Sequence, residues 1–167
     1  MENNIKTHIV KDFKEKSILV SREFKTTLKN IWNAFTDSKI LDQWWGPSPW
    51  HAETKSINFT VGGFWLYAMV GPEGEKHWGR MNYSAIDLHK NFHIEDVFCD
   101  ENGKVNTALP ASKGQISFTE TKNGIRVDFK MFYPTEDDLR KLIEMGFEQG
   151  IAIGLDQLES LFDQNKI

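Results

Sequence analysis

A metal site or a nucleophile in this 167-residue chain would have to be built from few residues, chiefly His51, His77, His93 and the single cysteine, Cys99. Their spacing argues against both. They are scattered over three strand-like segments, and there is no Cys-x-x-Cys, His-Glu-x-x-His or calcium-loop pattern to gather ligands. His93 and Glu95 alternate, which places them on one face of a strand, but the next residue in that phase is Val97. No Gly-x-Ser-x-Gly elbow occurs, and nothing around Cys99 matches a catalytic-cysteine pattern. The glycines of "VGG" and "GPEGE" lack the strand–loop–helix context of a phosphate loop and read as bulge and hairpin glycines. The sequence therefore predicts no metal site, no cofactor and no nameable catalytic residue.

Two polar residues among apolar neighbours could instead meet a bound molecule. Arg80 lies in "KHWGRMNYSAIDL", where Trp78, Arg80, Asn82 and Ser84 share one face and His77, Met81 and Tyr83 the other. Facing inward, its guanidinium would need a carboxylate, with Glu95 or Asp128 as candidates, or an anionic head group. Facing outward, it is a surface charge. Gln157 projects near a stripe of glycines and offers a hydrogen bond either to a ligand or to backbone near a helix end.

That stripe is Gly146, Gly150 and Gly154, in "LRKLIEMGFEQGIAIGLDQLESLF". The segment reads as one long amphipathic helix, opened by Pro134-Thr135-Glu136 with Thr135 and Asp138 as a capping pair. At about 100° per residue the glycines fall at about 0°, 40° and 80°. Leu139, Ile143, Phe147, Ile153, Leu158 and Leu161 flank them, and acids and Lys141 take the opposite side. Each glycine inside a helix costs roughly 0.8–1 kcal/mol relative to alanine. Glycines on a buried face imply clearance, either for rings from a facing sheet or for a ligand.

The elements that must position these residues follow from periodicity. Residues 1–16 are polar and mixed in charge, a loose arm or, through "THIVKDF", an edge strand. "SILVSREFK" is strand-like. "TTLKNIWNAFTDS" turns helical, with Thr26 or Thr27 as cap, and "SKILDQWW" is a second short helix capped by Ser38 and stopped at Gly46-Pro47. Strand patterns then cover 51–59, 62–71, 76–88 and 91–99. A polar loop spans 100–114, and two more strands flank the tight turn "KNG". Consecutive strands with short connections make an antiparallel sheet. The terminal helix is its cover, in a two-layer α+β arrangement. There is no internal repeat or interdomain linker.

Bulk properties narrow the function classes. Hydrophobic residues make up 40% of the chain, enough for a core, and twelve Phe, six Trp and three Tyr give flat walls suited to apolar pockets. Net charge is −4 with basic residues scattered among acids, which predicts no nucleic-acid partner. No apolar run is long enough for a membrane span, and the start "MENNIKTHIVKDFKEKS" has no leader-like apolar region. One cysteine permits no internal disulfide and suits a reducing, cytoplasmic setting.

"IWNAFTDSKILDQWWGP", "VGGFWLYAMVGPEGE", "WGRM" and "GFEQGIAIGLDQLESLF", in this order, resemble the domain related to the C-terminal part of the activators of the heat-shock-ninety chaperone ATPase, within the START-like or SRPBCC superfamily. The resemblance covers residues 17–165, read as one domain. Relatives commonly carry tryptophan near Phe147. The resemblance implies a helix-grip fold: a curved antiparallel sheet around a long C-terminal helix, two short helices at one end, and a cavity between sheet and helix. Superfamily members bind lipids, sterols or polyketides, and some are enzymes. The implied function is the binding of a small, mainly apolar molecule such as a lipid, sterol or aromatic metabolite. Wall candidates are Trp44, Trp45, Trp65, Tyr67 and Trp78, together with Phe129, Met131, Phe147, Ile153 and the glycines, with Arg80 and Gln157 as polar contacts. A co-chaperone-type interaction module and a cyclase- or hydrolase-like enzyme using cavity groups are the alternatives.

Overall fold

The computed structural model describes residues 6–167 and shows eight strands and four helices. Two strands open the chain, β1 (Thr7–Asp12) and β2 (Ser17–Phe24), followed by helices α1 (Leu28–Thr36) and α2 (Ser38–Trp44). Six strands follow: β3 (His51–Ile57), β4 (Phe64–Val70), β5 (Lys76–Asp87), β6 (Asn91–Cys99), β7 (Ser112–Thr121) and β8 (Gly124–Phe132). Helices α3 (Glu136–Glu144) and α4 (Phe147–Asp163) end it. All strands join one antiparallel sheet in the order β1-β2-β8-β7-β6-β5-β4-β3. This is the α+β helix-grip arrangement that the sequence implies.

Residues 7–12 take the edge-strand alternative, pairing with β2 from Thr7↔Arg22 to Asp12↔Ser17; residues 1–5 of the arm lie outside the described residues. Thr27 caps α1 by accepting from the Asn30 N–H. Asp37, rather than Ser38, caps α2 by accepting from the Lys39 N–H. β7 begins at Ser112, inside the segment read as polar loop.

The expected long C-terminal helix is two helices. Thr135 caps α3 as anticipated, its hydroxyl accepting from the Asp138 N–H at 3.0 Å. At Met145 the ladder stops, and Gly146 adopts φ +87°, a left-handed conformation that glycine reaches without a Cβ penalty. Its N–H bonds back to the Ile143 carbonyl, as glycine does beyond a helix C-terminus. The four-residue spacing suggested a continuous stripe, but Gly146 is the joint between helices.

Restarting at Gly146 also turns the buried face. Leu155 and Leu158 are fully buried and Gly154 is buried. At about 100° per residue Ile153 lies roughly 140–160° from both leucines, and it is 43% exposed. The helix is fastened to the sheet by Arg22 of β2, which is 1% exposed. Its guanidinium donates to Asp156 at 2.8 Å and Glu159 at 3.2 Å. Lys6 reaches Glu159 and Lys11 reaches Glu148 beside it.

The space between sheet and helices is filled unequally. Beneath α1, rings pack edge to face: Trp32 meets Phe59, Phe92 and Phe118 at centroid distances of 5.8, 5.8 and 5.3 Å, and Phe59 meets Tyr83 at 4.8 Å. Such contacts add to area burial and close that end. The other end, under the start of α4, stays open.

Candidate functional site

The open end is a cavity of about 500 Å³. Its floor is the inner face of the sheet, with Tyr67 on β4, Gly79 and Met81 on β5, Ile94 and Asp96 on β6, Ile116 on β7, and Phe129 and Met131 on β8. Its roof is the turn after α2, Trp44 to Pro47, together with Phe147, Gly150, Ile151 and Gly154 of α4. Leu142 and Met145 close one side; Leu109 and Pro110, from the loop read as polar, border another. Met145 and Leu109 are 55% and 39% exposed, which puts them at the mouth.

Each wall is held by identifiable contacts. The Trp44 indole N–H donates to the Ala34 carbonyl at 2.9 Å, which seats α2 on α1. Asp42 accepts from both the N–H and the hydroxyl of Thr54, which ties α2 to β3. The roof turn is stapled by Gln157: its amide nitrogen donates to the Trp44 and Gly46 carbonyls at 3.0 and 2.8 Å, and its oxygen accepts from the Ser48 N–H at 2.8 Å. Gln157 is therefore spent on backbone and positions the roof. Gly154 and Gly150 pass this turn closely: a Cβ on either would stand 3.5 Å from the Trp44 carbonyl oxygen or 3.6 Å from Pro47 Cγ. These are ordinary contacts, and no ring from the sheet comes within 4 Å of either position, so the two glycines do not make room for such rings. Gly79 has a related task, since a Cβ there would meet the Tyr67 ring at 2.9 Å.

Ten of the fourteen expected site residues border the cavity: Trp44, Trp45, Tyr67, Trp78, Phe129, Met131, Gly146, Phe147, Gly150 and Gly154. Trp78 does so at the edge, with Lys55 and Lys76 ammonium groups over its ring at 5.7 and 5.9 Å. Trp65 stands behind the wall, stacked on Tyr67 at 4.1 Å and bonded through its indole N–H to Thr54. Ile153 points away with the turn of α4. Arg80 takes its outward alternative, because Gly79, Met81 and Tyr83 are the buried phase of β5. Its guanidinium lies over the Phe64 ring at 4.3 Å and donates to Asn82 and the Gly103 carbonyl. Glu95, one of its candidate partners, pairs with Lys113 instead.

The residue that sequence reasoning missed is Asp96. Phe92 and Ile94 of β6 are buried in the core, and Asp96 follows in the same inward phase, opposite Met81 on β5 and Ser112 on β7. It keeps some accessible surface, yet lines the cavity and is enclosed by protein. Burial pushes its carboxyl up to about 7, and no cation or hydrogen bond offsets the rise. Burial, and next the Asp96 charge, push the Tyr67 hydroxyl above the ordinary tyrosine range; Tyr133 rises chiefly by burial, with Asp96 adding. Burial, then Asp100, also raises the Cys99 thiol, the opposite of nucleophile activation. The signal was a two-residue phase: Phe92, Ile94, Asp96, Phe98 is an apolar row interrupted by one acid. Among the described residues no three metal-ligating side chains come together.

An eight-stranded sheet gripping a C-terminal helix over a partly open space defines a helix-grip protein of the START-like class. Over residues 25–163 the chain matches the family described as Activator of Hsp90 ATPase homolog 1-like protein, and it belongs to that family. It is similar to protein Ms6760 from Mycobacterium smegmatis, at 30% identity and TM-score 0.86, over 93% of this chain and 95% of that one. It is also similar to a protein from Arthrobacter aurescens, at 28% identity and TM-score 0.88, over 94% and 91%. A Staphylococcus epidermidis protein has 27% identity and TM-score 0.82, over 94% of both. No curated protein matches the chain. Among the described residues no helix is long and apolar enough to cross a membrane.

Proposed function

We propose that this protein binds a small, mainly apolar molecule in the space between sheet and α4. The observation that carries the reading is the cavity itself: about 500 Å³, bordered mostly by aromatic and aliphatic side chains and open at the Met145–Leu109 rim. That volume lies within the range of small-molecule sites, where apolar walls supply affinity and a few polar groups fix orientation. A lipid, a sterol or an aromatic metabolite is the class such walls favour, and a cytoplasmic setting suits the lone thiol.

The family description favours a second reading, a contact with a chaperone, by analogy only. Such a contact needs an apolar surface patch; of the exposed large apolar residues, Val10, Val61, Leu88, Val105, Phe132 and Ile153 lie in separate segments, and Leu109 and Met145 belong to the cavity mouth. An enzymatic reading using cavity groups rests on Asp96 beside two tyrosines; the pair of opposed acid and base that would favour it over binding is not formed by these three.

Native mass spectrometry and thermal shift against lipids, sterols and aromatic metabolites test the proposal. A ligand at a hundred times its Kd raises stability by roughly 2.7 kcal/mol. The expected result is a one-to-one complex and a raised Tm for at least one class, lost on filling the cavity. Silence across all classes, together with stimulation of a chaperone ATPase in a direct assay, would replace the reading with the second one.

A further inference from the structure

Taking the cavity as a ligand site, the inventory of its wall specifies the ligand further. Among the bordering residues there is one carboxylate, Asp96, and no lysine or arginine. The carboxylate stands in the inward phase of β6, between Ile94 and Phe98, and among the described residues it has no ion-pair partner. The other polar side chains of the wall are the hydroxyls of Tyr67 from β4, Tyr133 just beyond β8 and Ser112 at the start of β7, which pairs with Asp96, and the His77 imidazole on β5. Around them stand the rings of Trp45, Phe129 and Phe147.

A fatty acid or any anionic amphiphile entering this space would bring its charge beside Asp96 with no lysine or arginine in the wall to receive it. An uncharged hydrocarbon would leave the carboxyl as it is, buried and without a partner. A protonated amine on an apolar body answers both features. Its N–H groups donate to the carboxylate in a charge-assisted bond, and its charge is attracted by the faces of the surrounding rings. We propose that the cavity selects hydrophobic amines, with Asp96 as the residue that receives the ammonium head and the aromatic walls taking the apolar body. Asp96 is thus a specificity-determining residue of the binding reading made above.

Three molecules with one apolar body separate the alternatives: naphthylmethylamine, naphthylmethanol and naphthoate, titrated into the full chain near pH 8 by calorimetry. The expected order is amine tighter than alcohol by about tenfold or more, equivalent to a single well-made charged contact, with naphthoate weakest. Asp96→Asn and Asp96→Ala should bring the amine down to the alcohol. Should neither variant fold, the wild type supplies the same information. Amine affinity falls as pH is lowered through the range in which Asp96 takes up its proton, while alcohol affinity does not. The other ionisable groups near it, Tyr67 from β4, His77 at the rim on β5, Cys99 on β6 and Tyr133 after β8, are followed in the same titration. Carbon-detected NMR of the Asp96 carboxyl should show its titration moving to lower pH when the amine is bound. Alcohol binding without a preference for the amine, or an amine preference that survives in Asp96→Asn, overturns the proposal and leaves the cavity reading standing. If none of the three binds, the proposal falls, and a wider panel that also fails takes the cavity reading with it.

Discussion

A carboxyl group in an apolar wall loses much of its hydration on folding, and Asp96 has neither a cation nor a donor to replace it. The sign of the resulting pH dependence is fixed. The folded chain holds the Asp96 proton up to about 7, whereas an ordinary aspartate releases it near 3.8. Between these values the folded state binds more protons than the unfolded state, so stability falls as pH rises through this window and levels off above it. The full difference bounds the cost at roughly 4 kcal/mol, and water in the cavity reduces it. Asp96→Asn should therefore be more stable than wild type by ~1–3 kcal/mol at alkaline pH, with a gain that shrinks towards zero near pH 4. Urea denaturation at a series of pH values measures this, and a gain independent of pH would show that the carboxyl is hydrated in the folded state. Other residues were readable from pattern alone: Trp44, Tyr67, Phe129 and Phe147 stand where an amphipathic sequence puts them. Asp96 was readable too, but only to an eye that treats an acid in the apolar phase of a strand as a question.

At the scale of elements, the α1 and α2 boundaries, the strands and their antiparallel order were legible because period-two and period-3.6 patterns alternate cleanly along the chain. The joint at Gly146 was not, since Gly146, Gly150 and Gly154 keep a helical spacing through it. A glycine after the last residue of a helix and a glycine within a helix look alike until backbone geometry separates them. The difference is measurable. Gly146 sits at φ +87°, and a Cβ there meets only Gln149 Oε1, at 4.0 Å. Gly146→Ala should thus cost ~1–2 kcal/mol through backbone strain alone, and Gly146→Asn should cost less, because asparagine tolerates this region. Chemical denaturation of the two variants checks it. An alanine variant as stable as wild type would mean that α3 and α4 run on as one helix. The strand phase of β5 was likewise open from sequence, as bulky groups occupy both faces. The structure resolves it through Gly79, the place where the Tyr67 ring needs room.

For the molecule as a whole, unequal filling is the central fact. Rings occupy the α1 end, so the aromatic-rich composition and the open cavity are not in conflict. A leucine at Gly150 tests where the remaining space lies. Its Cβ stands in ordinary contact with Pro47, and the rest of the side chain extends into the cavity. Helix propensity favours the change by up to about 1 kcal/mol. Gly150→Leu should leave stability within ~1 kcal/mol of wild type and lower ligand affinity by about tenfold or more. A loss of about 1–3 kcal/mol, the usual cost of overpacking, with affinity intact would place the leucine against the roof turn instead.

The sheet order carries one more consequence, which concerns time. β3 to β8 are paired in sequence, so each strand finds its neighbour as soon as it is made. β2 does not: its partner is β8, with Phe24 opposite Ile125, a gap of about a hundred residues and a synthesis interval of roughly 5–20 s. The partners of Arg22, Asp156 and Glu159, arrive later still. During translation the first hairpin waits beside an incomplete sheet, its inward guanidinium in water. The grip can close only after α4 has been made, because the carboxylates that receive Arg22 lie in it.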